Sequence, residues 1–156
     1  MSSVGLNIPK LLPVTGTWAA PFALYHLILS ARIVAIRVKS EQGLGDKYTK
    51  HASNDVLETD PLLTAVRCHG NFLENVPLAF IFLALAELNG GNKKYLNYVM
   101  AAFLAARVAH ADGGLMIRGN FAGNGVGRPI GYFGSCGVIA GLSGYVAYLV
   151  KGYWGF

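Results

Sequence analysis

Four segments of this chain are both apolar and long enough to cross a lipid bilayer as helices. They cover about residues 17–39, 61–88, 94–117 and 129–153. A spanning helix needs about 20 residues, because the hydrocarbon core of a bilayer is about 30 Å thick. We therefore predict an all-α membrane protein, in which residues 1–156 form one domain built as a four-transmembrane-helix bundle.

The composition argues against a small water-soluble domain. Hydrophobic residues make up 53% of the chain and charged residues 13%, whereas a soluble domain usually carries about 25% charged residues. A soluble fold of this size could not hide so much apolar surface from water. The net charge of +5 does not indicate nucleic-acid binding, because the basic residues never form a run. We expect an integral, multi-pass protein, in the endoplasmic reticulum membrane if the source is eukaryotic and in the inner membrane if it is bacterial.

Proline and glycine mark where the predicted helices begin and turn. Pro61 and Pro129 stand at predicted helix starts, where proline is tolerated because its missing N–H would have no partner in the helix. The sequence NGGN at 89–92 predicts a tight turn. The second and third helices should therefore form an antiparallel hairpin, and longer loops should cover 40–60 and 119–127.

Several polar residues outside the main motif have structural interpretations. The two cysteines, Cys68 and Cys136, are too few for a disulfide framework and lack metal-ligand spacing. We therefore expect no metal site, and we interpret Cys68 as a packing residue. Asp112 is expected to pair with an arginine, and Glu87, which is near a helix end, is expected to be solvated.

Charged and amide side chains share one face of the second predicted helix. Arg67, Asn71 and Glu74 follow the spacing i, i+4, i+7, which places them on one side of a helix. An ionisable side chain in a spanning helix costs about 2.5–3.5 kcal/mol on insertion scales, and it tends to face a bundle interior or a wet cavity. From the residues alone, a ligand site and an Arg–Glu network that only orients helices are equally good interpretations.

Further basic residues are predicted at the same depth in the membrane. Arg107 and His110 lie one turn apart in the third helix, Arg32 and Arg37 lie near the end of the first, and Arg128 precedes the fourth. Together with the motif of the second helix, they predict a polar pocket with an excess of arginine. Its ligand should be anionic with several carboxylates, since guanidinium groups bind carboxylates through paired hydrogen bonds.

These motifs resemble the MAPEG family, the membrane-associated proteins in eicosanoid and glutathione metabolism. The pattern R-x-x-x-N-x-x-E-x-x-P at 67–77 is similar to the signature of that family. ARVAH at 106–110 resembles its third helix, and ARIVAIRVKSEQGLGD at 31–46 resembles the end of its first. The resemblance covers about 32–131 and is nearest to members like the microsomal glutathione S-transferases.

The resemblance implies a homotrimer in which each active site lies between adjacent subunits and holds glutathione as a co-substrate. Glu74 would take the γ-glutamyl ammonium, and Arg128 resembles the arginine that stabilises the thiolate, with Arg118 as the alternative. The implied glutathione-binding residues are Arg37, Arg67, Asn71, Glu74, Arg107 and His110. The implied activity is that of a glutathione transferase or peroxidase, in which the thiolate attacks a lipophilic electrophile or lipid hydroperoxide that reaches the site through membrane lipid.

Two departures from the eicosanoid members narrow this expectation. Gly114 stands where those members often carry a tyrosine, and Val38 stands where one of them has a second arginine. Both favour a general detoxification enzyme over a leukotriene C4 synthase. The alternatives are a noncatalytic lipid-binding or scaffold protein of the same fold, and a small transporter or membrane-complex subunit.

Overall fold

The computed structural model describes residues 11–45, 60–117 and 125–155. They form four α-helices, which are α1 (Pro13–Ser40), α2 (Pro61–Leu88), α3 (Lys93–His110) and α4 (Gly127–Leu149). A π-helical turn, Ala111–Leu115, continues α3, and a 3-10 turn, Lys151–Trp154, follows α4. The described part of the chain contains no strand, so the all-α, four-helix prediction is confirmed.

Three of the four helices, α1, α2 and α4, are long and apolar enough to cross a membrane. The third helix differs from the prediction, because it is α-helical for only 18 residues and ends at His110. Two lysines at its start and Arg107 near its end make it more polar than the others. With the π-helical turn, the helical segment extends over residues 93–115, which is long enough to cross a bilayer.

The hairpin between α2 and α3 has the predicted turn. Gly90 adopts a positive φ of 80°, a backbone conformation that glycine adopts at no steric cost. Asn92 then caps α3, since its side-chain oxygen accepts hydrogen bonds from the backbone N–H groups of Lys94 (3.0 Å) and Tyr95 (3.2 Å). Such caps satisfy N–H groups that have no partner within the helix.

An aromatic cluster holds α1, α2 and α3 together. Phe22 of α1 is 2% exposed, and its ring centroid lies 5.5 Å from that of Phe103 and 6.2 Å from that of Phe72. Ring pairs at such distances contribute interaction energy in addition to the hydrophobic stabilisation from the area that they bury. Cys68, also 2% exposed, belongs to the same core, which agrees with its interpretation as a packing residue.

The expectation that Glu87 would be solvated is wrong. Glu87 lies at the end of α2 but is only 7% exposed, because the start of α1 packs against it. Its carboxylate accepts hydrogen bonds from the backbone N–H of Val14 (2.7 Å) and from the backbone N–H and hydroxyl of Thr15 (both 2.9 Å). The first N–H groups of a helix favour a negative charge, so Glu87 acts as a cap for α1 that is supplied by another helix.

Replacing Glu87 by glutamine should lower the free energy of unfolding by about 1.5–3 kcal/mol, the scale of a hydrogen bond to a charged group. Thermal unfolding of the detergent-purified protein, followed by circular dichroism, measures the effect. The matched control is Glu74→Gln in the same helix, whose side chain is exposed and which should leave the midpoint unchanged. Equal midpoints for wild type and Glu87→Gln would contradict the capping role.

Candidate functional site

A groove of about 880 Å³ opens between the first half of α2, the end of α3 and the start of α4. Its charged and amide lining consists of Arg67, Asn71, Glu74, His110 and Arg128, with Asp60 at the start of α2. The structure therefore brings five of the predicted site residues to one concave surface. Two others, Arg37 and Arg107, do not line the groove.

Arg67 and Glu74 present opposite charges to the groove about two helical turns apart. Both side chains are exposed, and neither forms a hydrogen bond or an ion pair with the residues that the structure describes. Seven residues of helix correspond to about 10 Å along the axis. The two side chains therefore do not form the Arg–Glu network that was the structural alternative, and both charges face the groove.

Arg107 lies behind the groove and connects three helices. Arg107 is 3% exposed, and its guanidinium donates to the side-chain oxygen of Asn71 (2.5 Å) and to the backbone oxygen of Gly131 (2.7 Å). Because the oxygen of Asn71 already accepts from Arg107, the NH₂ group of Asn71 is the part of that amide available to a ligand. Asn71 thus offers the groove a hydrogen-bond donor, which suits a carbonyl or carboxylate oxygen.

Arg128 is held at the start of α4 by close backbone packing. The ring nitrogen Nδ1 of His110 lies 2.9 Å from the backbone oxygen of Arg128. A Cβ atom added at Gly114 would stand 2.5 Å from the backbone nitrogen of Arg128 and 2.7 Å from its Cα. The absence of a tyrosine at position 114 therefore has a steric reason in this chain, because any side chain there would displace the start of α4.

Arg37 is turned away from the groove of its own chain. Its guanidinium donates to the backbone oxygens of Gly43 (3.1 Å) and Gly45 (2.6 Å), just after α1. In a single chain these bonds give Arg37 a structural role at the helix end. Arg118, the alternative partner for the thiolate, lies outside the described residues.

The apolar part of the groove was not predicted from the sequence. Tyr132 and Phe133 line it and are 50% and 71% exposed, with their ring centroids 5.3 Å apart. The apolar lining also includes Leu63, Val66, Leu115 and Pro129. A signal was available, because Tyr132 follows Arg128 by four residues and so lies on the same helical face. The groove therefore combines a charged region with an aromatic surface.

The chain matches the model of one known protein family over most of its length. The model of the MAPEG family matches residues 15–148, a range that includes every residue that lines the groove. No curated protein gives a significant match. Since the family model spans most of the chain and the groove lies within the match, this chain belongs to the MAPEG family.

Proposed function

We propose that this protein is a membrane-embedded glutathione S-transferase that binds glutathione in the groove. The observation that carries the proposal is that Arg67 and Glu74 present exposed, opposite charges to the groove, with the donor amide of Asn71 between them. Glutathione carries two carboxylates, one ammonium, two amides and a thiol. Its charge pattern is complementary to a groove that is lined by two arginines, Arg67 and Arg128, and by the carboxylate of Glu74.

The proposed binding mode assigns one ligand group to each polar side chain of α2. Glu74 accepts hydrogen bonds from the γ-glutamyl ammonium, and Arg67 binds a carboxylate through its planar guanidinium. Asn71 donates to a carbonyl or carboxylate oxygen between them. Arg107 fixes the orientation of Asn71 from behind, and His110 supports the backbone of Arg128.

Arg128 is proposed to stabilise the thiolate of the bound glutathione. A free thiol has a pKa of about 8.5, and the thiolate is the nucleophile. Both the guanidinium and the helix start beside it favour a negative charge. In the transferase reaction, the thiolate sulfur forms a bond to an electrophilic carbon, and the leaving group departs with its bonding electrons.

A peroxidase activity would use the same thiolate. The sulfur attacks one oxygen of a lipid hydroperoxide, the O–O bond breaks, and protonation gives an alcohol and a sulfenic acid. A second glutathione then reduces the sulfenic acid, which yields water and glutathione disulfide. Tyr132 and Phe133 provide an aromatic surface along which either apolar co-substrate could enter from the bilayer.

A homotrimer with sites between subunits is part of the proposal. Arg67 and Glu74 are exposed in a helix that is long and apolar enough to span a membrane, and contact between such charges and lipid is costly. A neighbouring subunit that covers the open side of the groove would remove that contact. It could also bring its own Arg37 to the site, although each Arg37 lies away from the groove of its own chain.

A noncatalytic lipid-binding protein of the same fold is the second candidate function. The exposed aromatic pair Tyr132 and Phe133 favours it, because an aromatic surface can hold an acyl chain without a thiolate. Such a protein would have no need of Glu74 for binding its ligand. Glutathione binding therefore separates the two candidates.

Glu74→Gln should weaken glutathione binding by about 1.5–3 kcal/mol, the scale of a charged hydrogen bond, or roughly ten- to a hundredfold in Kd. Isothermal titration calorimetry measures the change. The analogue glutaryl-cysteinyl-glycine, which lacks the ammonium, should bind wild type and variant about equally. Glu87→Gln is the control, since its carboxylate lies at the start of α1 and away from the groove. Unchanged glutathione affinity in folded Glu74→Gln protein would contradict the assignment.

A further inference from the structure

We propose that Asp112 is a positioning residue for Arg128, because it fastens to α1 the π-helical turn against which α4 begins. This inference rests on the proposed function, since it concerns the cation assigned to the thiolate. Asp112 does not line the groove. It would therefore act on the reaction through the backbone and not through contact with glutathione.

The carboxylate of Asp112 is held from two positions on α1. Arg32 forms an ion pair with one oxygen through Nη1, as the sequence analysis expected, and the Tyr25 hydroxyl donates to the other oxygen at 2.8 Å. Tyr25 is only 8% exposed, and none of the three residues lines the groove. The network thus connects α1 to the π-helical turn through side chains that lie outside the lining of the groove.

The π-helical turn and the start of α4 pack backbone against backbone. A Cβ at Gly127 would stand 2.6 Å from both the carbonyl carbon and the oxygen of Gly113, and one at Gly125 would stand 2.2 Å from that oxygen. The contact of Gly114 with the backbone of Arg128 is equally close. No side chain separates the two segments, so a displacement of the turn is transmitted directly to Arg128.

The π-helical turn therefore contacts α1 through Asp112 and, on its other side, packs against the backbone of Arg128 in α4. Single π-helical turns are frequent at functional sites. Loss of the ion pair would leave the turn held to α1 by fewer bonds, and the guanidinium of Arg128 would then occupy a wider range of positions. Because the interaction of a cation with a thiolate weakens with distance, the thiolate would be less stable.

Asp112→Asn tests this inference, because asparagine keeps the shape and an acceptor for Tyr25 but removes the charge that pairs with Arg32. The ultraviolet absorbance of the bound thiolate, titrated with pH, should show a midpoint about one pH unit higher, which is about tenfold less thiolate at a pH well below both midpoints. Glutathione should still bind, since Asp112 does not line the groove. If Asp112→Asn fails to fold, Tyr25→Phe should give a smaller shift in the same direction.

A double-mutant cycle separates positioning from a general loss of stability. In the Arg128→Leu background, adding Asp112→Asn should shift the midpoint no further, because the cation that it positions is gone. Glu87→Gln should lower the unfolding temperature without moving the midpoint. An unchanged midpoint in Asp112→Asn, or an equal shift in both backgrounds, would overturn the role of Asp112 and leave the proposed function standing. A wild-type protein that binds no glutathione, or binds it without forming a thiolate, would overturn the proposed function and this inference with it.

Discussion

Replacing Arg128 by leucine should raise the pKa of the bound glutathione thiol by about 1–3 pH units, the effect expected for loss of a cation within about 4–6 Å. Each unit corresponds to about 1.36 kcal/mol. A thiol near its free pKa of about 8.5 is only about 3% ionised at pH 7, so turnover near neutral pH should fall by up to about thirtyfold. The thiolate is the reactive form, and activity should therefore recover as the pH rises through the new pKa. Affinity for glutathione should fall much less, because binding rests mainly on Arg67, Asn71 and Glu74.

Titration of the thiolate absorbance in wild type and Arg128→Leu measures this pKa directly. Arg128→Lys is the matched control, since it keeps a positive charge at the start of α4 and should retain much of the thiolate at neutral pH. If the bound thiol ionised at the same pH in wild type and Arg128→Leu, Arg128 would not be the activating cation. Arg118 would then be the residue to replace next.

Gly114→Ala should destabilise the protein by about 3 kcal/mol, at the upper end of the range for overpacking, and should also lower activity. The added Cβ would meet backbone atoms of Arg128 at 2.5 and 2.7 Å, and backbone cannot rotate away as a flexible side chain can. The start of α4 would have to move, and Arg128 would move with it. Thermal unfolding and the thiolate titration should therefore both change.

Gly16→Ala is the matched control for this substitution. Gly16 lies in α1, and a Cβ added there would meet nothing within 4 Å. Alanine has a helix propensity about 1 kcal/mol more favourable than that of glycine, so Gly16→Ala should be neutral or stabilising. A Gly114→Ala protein as stable and active as Gly16→Ala would contradict the close packing of the π-helical turn on α4.

The positions of the helices could be predicted from the sequence wherever local signals determine them. The four apolar segments predicted the number of helices, and Pro61 marks the observed start of α2. The start of α1 at Pro13, before the predicted residue 17, depends partly on Glu87, which caps it from α2. That contact joins residues far apart in the chain, so no local pattern contains it.

The end of the third helix shows the same limit. The segment 94–117 was predicted as one regular helix, but the chain becomes π-helical at Ala111. The turn contains Gly113 and Gly114, which lack the side chains that would prevent close contact with α4. A hydropathy pattern records which residues are apolar, whereas it does not record which backbone segments touch.

The candidate site was predictable where one helix determines it. The spacing of Arg67, Asn71 and Glu74 places all three on one face, and the structure has all three in the groove. The sequence could not distinguish Arg107, which is buried behind the groove, from an arginine that lines it. Nor could it show that Arg37 bonds to the loop after α1, because both outcomes depend on how the helices pack.

The central claim, that the groove binds glutathione, is tested most directly by equilibrium binding of glutathione to the detergent-purified protein. Isothermal titration calorimetry of wild type beside Glu74→Gln and Glu87→Gln is sufficient. We predict saturable binding to wild type and to Glu87→Gln, and binding at least about tenfold weaker to Glu74→Gln. Folded wild-type protein that binds no glutathione, or Glu74→Gln that binds it as tightly as wild type, would contradict the claim.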